Sequence, residues 1–180
     1  MLPDVTDDRV LKFDYRGAPQ TVGLLRRAAL ESQEHIALRK LAELWCGGLD
    51  SKDYVSEYLA CNYGCLQRTR YMRDPRTVEF VRAPYLIAQE ILSGGRPSLD
   101  CDDYTSFLCG LCLAMGGQCR IVTVAFRKVY FQGRIQYSHV FMQAREPSTG
   151  VWITLDPVAA ENTSTMLKRK IVAAATWPVA

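Results

Sequence analysis

Apolar residues at Leu24, Leu25, Ala28, Ala29, Ile36, Leu41 and Leu44 follow a loose helical period and predict one helix from about Val22 to Trp45. Thr21 is its candidate cap and Gly47-Gly48 its stop. A second helix is expected from Ser51, with Tyr54, Val55, Tyr58, Leu59 and Leu66 on its inner face. Asp74-Pro75 breaks the chain, and Pro84 suits the first turn of a short helix through Leu92, closed by Gly94-Gly95. Tyr104, Phe107, Leu108, Leu111 and Met115 recur at helical spacing, with Asp100 as N-cap, Asp103 as the partner of a capping-box variant, and Gly116-Gly117 as the stop. The period then changes. Arg120 to Phe126, Gln136 to Ala144 and Val151 to Leu155 read as strands, the last two joined by a turn at Pro147-Ser148-Thr149-Gly150. Beyond Pro157 the pattern weakens, and Met166 to Ala180 is expected to be an ordered tail or a partner-binding arm. Helices followed by antiparallel strands predict an α+β fold.

Composition narrows the class. Hydrophobic residues make up 48% and charged residues 23% of the 180, the balance of an ordinary globular domain with a usable core. The net charge of +3 is small and the basic residues are dispersed, so a nucleic-acid partner is not expected; Lys168-Arg169-Lys170 suits a solvated turn. No run approaches the roughly 20 apolar residues of a membrane helix, and Met1 to Arg9 is acidic with no apolar signal region. No membrane association is expected, and the expected location is cytoplasmic. The seven cysteines are an odd number, and without an export signal reduced thiols are the default.

Cys101 falls in the first turn of its helix, where the dipole and unpaired N–H groups favour a thiolate. Its pKa is therefore expected below the free value of about 8.5. Asp102 is the opposing feature, because a carboxylate turned inward beside Cys101 would resist ionisation. His139 lies on the second strand and can act as base and acid. Asp156 ends the third strand, and the spacing from His139 holds two strands and a turn. Such a hairpin can bring the imidazole and the carboxylate together at one end of a sheet, where the acid would orient the ring. Failing that contact, Asp103 or Asp102 is the alternative third member. The other histidine, His35, lies in a helix with no partner motif.

Four segments carry a resemblance in order: Leu99-Asp100-Cys101-Asp102-Asp103-Tyr104; Leu113-Ala114-Met115-Gly116-Gly117 with Arg120-Ile121-Val122; Ser138-His139-Val140-Phe141; and Gly150-Val151-Trp152-Ile153-Thr154-Leu155-Asp156-Pro157. Together they resemble the transglutaminase-like superfamily of papain-related proteins, over about Tyr71 to Val158. Tyr71-Met72-Arg73-Asp74-Pro75 is similar to versions of the domain encoded by bacteriophages and prophages. The resemblance implies a transglutaminase-like/papain-like core at 71-158, an N-terminal helical region at 1-70 and a C-terminal tail at 159-180. It implies Cys101 as nucleophile, His139 as base and Asp156 as orienting acid, acting on a protein or peptide without a cofactor. The backbone N–H of Cys101 is one candidate oxyanion donor; for a side-chain donor, Gln89 and Tyr85 are named and the position stays open.

Plainer readings stand beside these. Taken singly, Cys101 is a buried structural thiol, His139 a satisfied core histidine, Asp156 a turn residue, and Trp152 packs in the core. Cys61 and Cys65 with Cys109 and Cys112 could form a four-cysteine zinc site, but a Cys-x-x-Cys in mid-helix lacks the usual turn, so packing is expected and no metal. Two functions follow. One is a thiol-dependent amide hydrolase or acyltransferase working through a thioester. The alternative is a non-catalytic assembly component of a phage-like particle, incorporated into a virion with other assembly proteins and with an idle triad.

Overall fold

The computed structural model describes residues 10–13, 18–74, 79–131, 133–158 and 170–180. The Lys168-Arg169 part of the basic turn, Pro75 and the start of the tail at Met166 lie outside them. The chain runs β1 (Val10–Phe13), α1 (Ala18–Ser32), α2 (Ile36–Cys46), α3 (Tyr54–Arg68), β2 (Arg70–Tyr71), β3 (Glu79–Arg82), α4 (Pro84–Leu92), β4 (Ser98–Leu99), α5 (Cys101–Ala114), β5 (Gln118–Ala125), β6 (Tyr130–Phe131), β7 (Arg134–Ile135), β8 (His139–Arg145), β9 (Trp152–Leu155) and β10 (Ala173–Pro178). The fold is α+β, with α5 packed on an antiparallel four-stranded sheet ordered β10-β5-β8-β9.

Helix α5 is the centre of the molecule. It packs against α1, α2, α3 and α4 as well as against β5 and β8. Every residue from Asp102 to Cys112 is consequently buried, which explains a sequence that is apolar nearly all round. Its end is a Schellman turn: Gly116 N–H donates to the Leu113 carbonyl and Gly117 N–H to the Cys112 carbonyl, both at 2.9 Å, with Gly116 at φ 79°. That positive φ is why a glycine stands there. The turn reverses the chain straight into β5.

Three expectations need correction. The helix expected over 22–45 is two helices, broken at Gln33–His35. His35 caps the second, its Nδ1 accepting the Ala37 N–H at 3.1 Å. The next helix begins at Tyr54 rather than Ser51, capped by Asp53, and its inner face is Tyr58, Cys61, Gly64 and Cys65; Val55 and Leu59 are exposed. The capping-box partner acts elsewhere: Asp103 Oδ1 accepts the Arg82 N–H at 2.9 Å and ties the start of α5 to β3.

The segment read as a tail contains an edge strand. β10 pairs antiparallel with β5 along its whole length, Ala173 opposite Ala125 and Pro178 opposite Arg120. Trp177 Nε1 donates to Thr123 Oγ1 at 3.1 Å, and Arg26 Nε to the Val179 carbonyl at 2.9 Å. The proline is tolerated because the strand lies at the sheet edge. Among the described residues no helix is long and apolar enough to cross a membrane.

Candidate active site

Asp100 fixes the entry to α5. Its backbone is extended, and its Oδ1 accepts the N–H groups of Asp102 and Asp103 at 2.9 and 3.0 Å. Cys101 is thereby the first residue of the helix. It is partly exposed, and its sulfur lies 3.6 Å from Asp102 Oδ1 and within hydrogen-bond reach of the backbone N–H of Val140.

Val140 follows His139, and the sheet register explains why its N–H is available there. β9 pairs with β8 only from Met142 to Arg145, whereas β5 continues alongside as far as His139. Residues 139–141 therefore run past the end of β9, with one ladder edge uncovered. The start of α5 meets β8 at this step. Asp156, the residue after β9, turns into the same step, and His139 Nε2 and Asp156 Oδ2 are 2.7 Å apart. The two side chains are only 5% and 11% exposed, so the contact is shielded from water. The His139 ring stacks on Phe126 (centroids 6.4 Å apart) and leans on Phe141 (5.9 Å). With Nε2 held by the carboxylate, Nδ1 is the nitrogen left to exchange a proton with a reacting group.

The sequence placed a low-pKa thiol at Cys101; the structure reverses this. Burial is the leading cause that pushes the Cys101 thiol well above its ordinary value, followed by the charges of Asp102 and Asp100, and the Val140 N–H opposes them only partly. Asp102 is indeed turned inward, as a buried residue accepting the thiol proton. Cys101 at rest is a thiol. Asp103, also buried, has its carboxyl pushed up to about 8, by burial first and by Asp100 second.

Neither side-chain donor candidate from the sequence is engaged at Cys101. Tyr85 stacks on His35 with centroids 4.3 Å apart, and Gln89 is exposed on α4. A pair not singled out for that role lies beside Cys101 instead. Tyr71 belongs to β2, which runs parallel to β4 with Tyr71 opposite Leu99, and the Met72 N–H donates to the Leu99 carbonyl at 2.9 Å. This register carries the chain from Tyr71 to Arg73 alongside Cys101, and Arg73 Nε donates to the Tyr71 phenol oxygen at 3.3 Å. Both Tyr71 and Arg73 interact electrostatically with the Cys101 thiol.

The remaining cysteines are free thiols in a different grouping from the zinc set considered above. Cys61 lies 3.8 Å from Cys46, and Cys119 shares hydrogen bonds with Cys109 and Cys112. The hydrogen bonds with Cys119, and burial after them, keep Cys109 and Cys112 well above the ordinary thiol pKa. Asp100, Cys101 and Asp102 bring three ligand-type atoms within 4.8 Å of one another. Here Asp100 is committed to capping α5 and Asp102 to the thiol.

No family model matches the chain, and neither does any curated protein. Among solved structures, a proposed protease from Parabacteroides distasonis superposes at TM-score 0.52 with 12% identity, over 81% of this chain and 28% of that one. A proposed cysteine protease from Cytophaga hutchinsonii aligns at TM-score 0.47 with 18% identity, over 93% of this chain and 58% of that one. The first likeness is one of fold. This chain spans about a quarter of the Parabacteroides protein and somewhat over half of the Cytophaga protein.

Proposed function

We propose that the chain is a thiol-dependent amide hydrolase or acyltransferase of the transglutaminase-like type, with Cys101 as nucleophile, His139 as general base and Asp156 as the group that orients His139. The observation that carries this reading is the shielded 2.7 Å contact between His139 Nε2 and Asp156 Oδ2, set at the step in the sheet where the Cys101 sulfur meets the Val140 N–H. A histidine held through one nitrogen by a buried carboxylate, on the strand whose next residue meets a helix-start cysteine, supports a nucleophilic role for that thiol.

Because the resting group is a thiol, the proton leaves during attack rather than before it. Cys101 Sγ adds to the substrate carbonyl carbon as His139 Nδ1 takes the thiol proton. Asp156 stabilises the imidazolium that forms. Collapse of the tetrahedral oxyanion expels the amine, which receives the proton from His139, and leaves a thioester on Cys101. Water resolves the thioester in hydrolysis and an amine resolves it in transfer. The substrate in this reading is a protein or peptide acyl group, and the chemistry calls for no metal or cofactor.

A second reading draws on one observation: the Cys101 sulfur is pressed against Asp102 and held as a neutral thiol. This suits an assembly protein that keeps the fold with the triad idle. Release of p-nitrophenolate from p-nitrophenyl acetate separates the two. The enzyme reading expects turnover that Cys101→Ala and His139→Ala each reduce to background. Release that is the same with and without Cys101 would favour the assembly part.

A further inference from the structure

The proposed reaction builds negative charge on the substrate oxygen, and a thiol site needs donors aimed at that charge. We propose that the Tyr71 phenol is the side-chain donor to this oxyanion, opposite the Cys101 backbone N–H; the inference rests on the thiol-hydrolase reading and supplies its missing part.

Placement is the first argument. Tyr71 is held by a parallel pairing to the two residues that immediately precede the Asp100 cap, so the strand that carries the phenol and the turn that delivers Cys101 are one hydrogen-bonded unit. Orientation is the second. Arg73 Nε can only donate, so the Tyr71 oxygen must be the acceptor in their 3.3 Å contact. The phenol proton is thus left for another acceptor. A phenol that accepts from a guanidinium also donates more strongly, since successive hydrogen bonds polarise one another. Protonation state is the third. Burial of the ring, only partly offset by Arg73, keeps Tyr71 a phenol through neutral pH, which is the form that donates. Arg73 is exposed and Tyr71 half-buried, so the pair reaches solvent.

The alternative is a Tyr71 that merely packs against the start of α5. Two reactions of Cys101 distinguish these roles. Acylation by p-nitrophenyl acetate passes through a tetrahedral oxyanion. Alkylation by iodoacetamide is displacement at a saturated carbon and forms none. Tyr71→Phe keeps the ring and removes only the donor. The proposal expects this variant to lose Cys101-dependent acylation on the order of 100- to 1000-fold, while iodoacetamide modifies Cys101, mapped by peptide mass, at the wild-type rate. An unchanged acylation rate in Tyr71→Phe overturns the proposal and leaves the hydrolase reading standing. Equal loss in both reactions also overturns it, since the tyrosine would then support the thiol or the fold. Absence of any Cys101-dependent acylation in the wild-type chain overturns the hydrolase reading and this donor together.

Discussion

Two effects of opposite sign meet at Cys101. The N-terminus of α5 favours a thiolate by about 0.3–1 kcal/mol, and up to about 2 in sheltered geometry. Burial and neighbouring carboxylates can shift a group by up to about 3–5 pH units, at about 1.4 kcal/mol per unit. The larger effect wins, and the thiol titrates well above its ordinary value. The folded chain should therefore be alkylated by iodoacetamide at Cys101 along a pH profile whose midpoint lies above the roughly 8.5 of a free cysteine. Asp102→Asn removes the nearest like charge and should move that midpoint down, toward faster labelling at neutral pH. Rapid labelling of the wild-type Cys101 at pH 7, or a midpoint unmoved in Asp102→Asn, would contradict this electrostatic account. The positions of the three candidate residues at element ends agree with the sequence reading: Cys101 opens α5, His139 opens β8 and Asp156 follows β9. The sign of the Cys101 shift was not readable from the sequence, because it depends on which way the Asp102 side chain turns. Tyr71 was missed as a donor because a two-residue parallel pairing between β2 and β4 leaves no periodic trace.

The elements that bracket the site were legible for simple physical reasons. α4 and α5 each end in two glycines that make the same terminal turn, and the β8–β9 connection carries Pro147 to Gly150 with Gly150 at φ 72°. The break between α1 and α2 had no such marker: no glycine or proline stands at Gln33–His35, and the cap is an imidazole. β10 was hidden because Ala173 to Pro178 is mostly small residues with half-exposed and exposed positions alternating. The contact between α2 and α3 was equally invisible, although it constrains one residue tightly. A Cβ at Gly64 would fall 2.4 Å from Cδ2 of the Trp45 ring, too close for any relaxation short of moving the indole. Gly64→Ala should therefore destabilise the chain by about 1–3 kcal/mol, despite the better helix propensity of alanine. Thermal or denaturant unfolding measures it, and a variant as stable as wild type would show that α2 and α3 pack less closely.

At the scale of the whole molecule, one buried helix joins the helical layer to the sheet and also delivers Cys101, so stability and site chemistry share the N-terminus of α5. Asp103 exposes that coupling. Folded, it holds its proton up to about pH 8; unfolded, a carboxyl gives it up near about 3.9. The folded state thus binds the extra proton between these values, and its stabilising contribution, complete below the lower value, is lost as pH rises through about 8. Asp103→Asn keeps an oxygen for the Arg82 N–H and cannot ionise. Its Tm should gain on wild type progressively from pH 5 to pH 9, and a constant difference would contradict the buried, protonated state.

If Cys101, His139 and Asp156 act as one nucleophilic unit, as proposed, the acyl-enzyme on Cys101 is its immediate product and can be trapped. The chain would be mixed with p-nitrophenyl acetate at neutral pH, quenched in acid, and the acetyl group located by peptide mass mapping in the wild type, His139→Ala and Asp156→Asn. The predicted result is a thioester on Cys101 ahead of the other six cysteines, nearly abolished in His139→Ala and formed more slowly in Asp156→Asn, where the ring is retained but less well held. Acetyl groups spread evenly over the cysteines, or a Cys101 thioester that forms equally fast without His139, would contradict it.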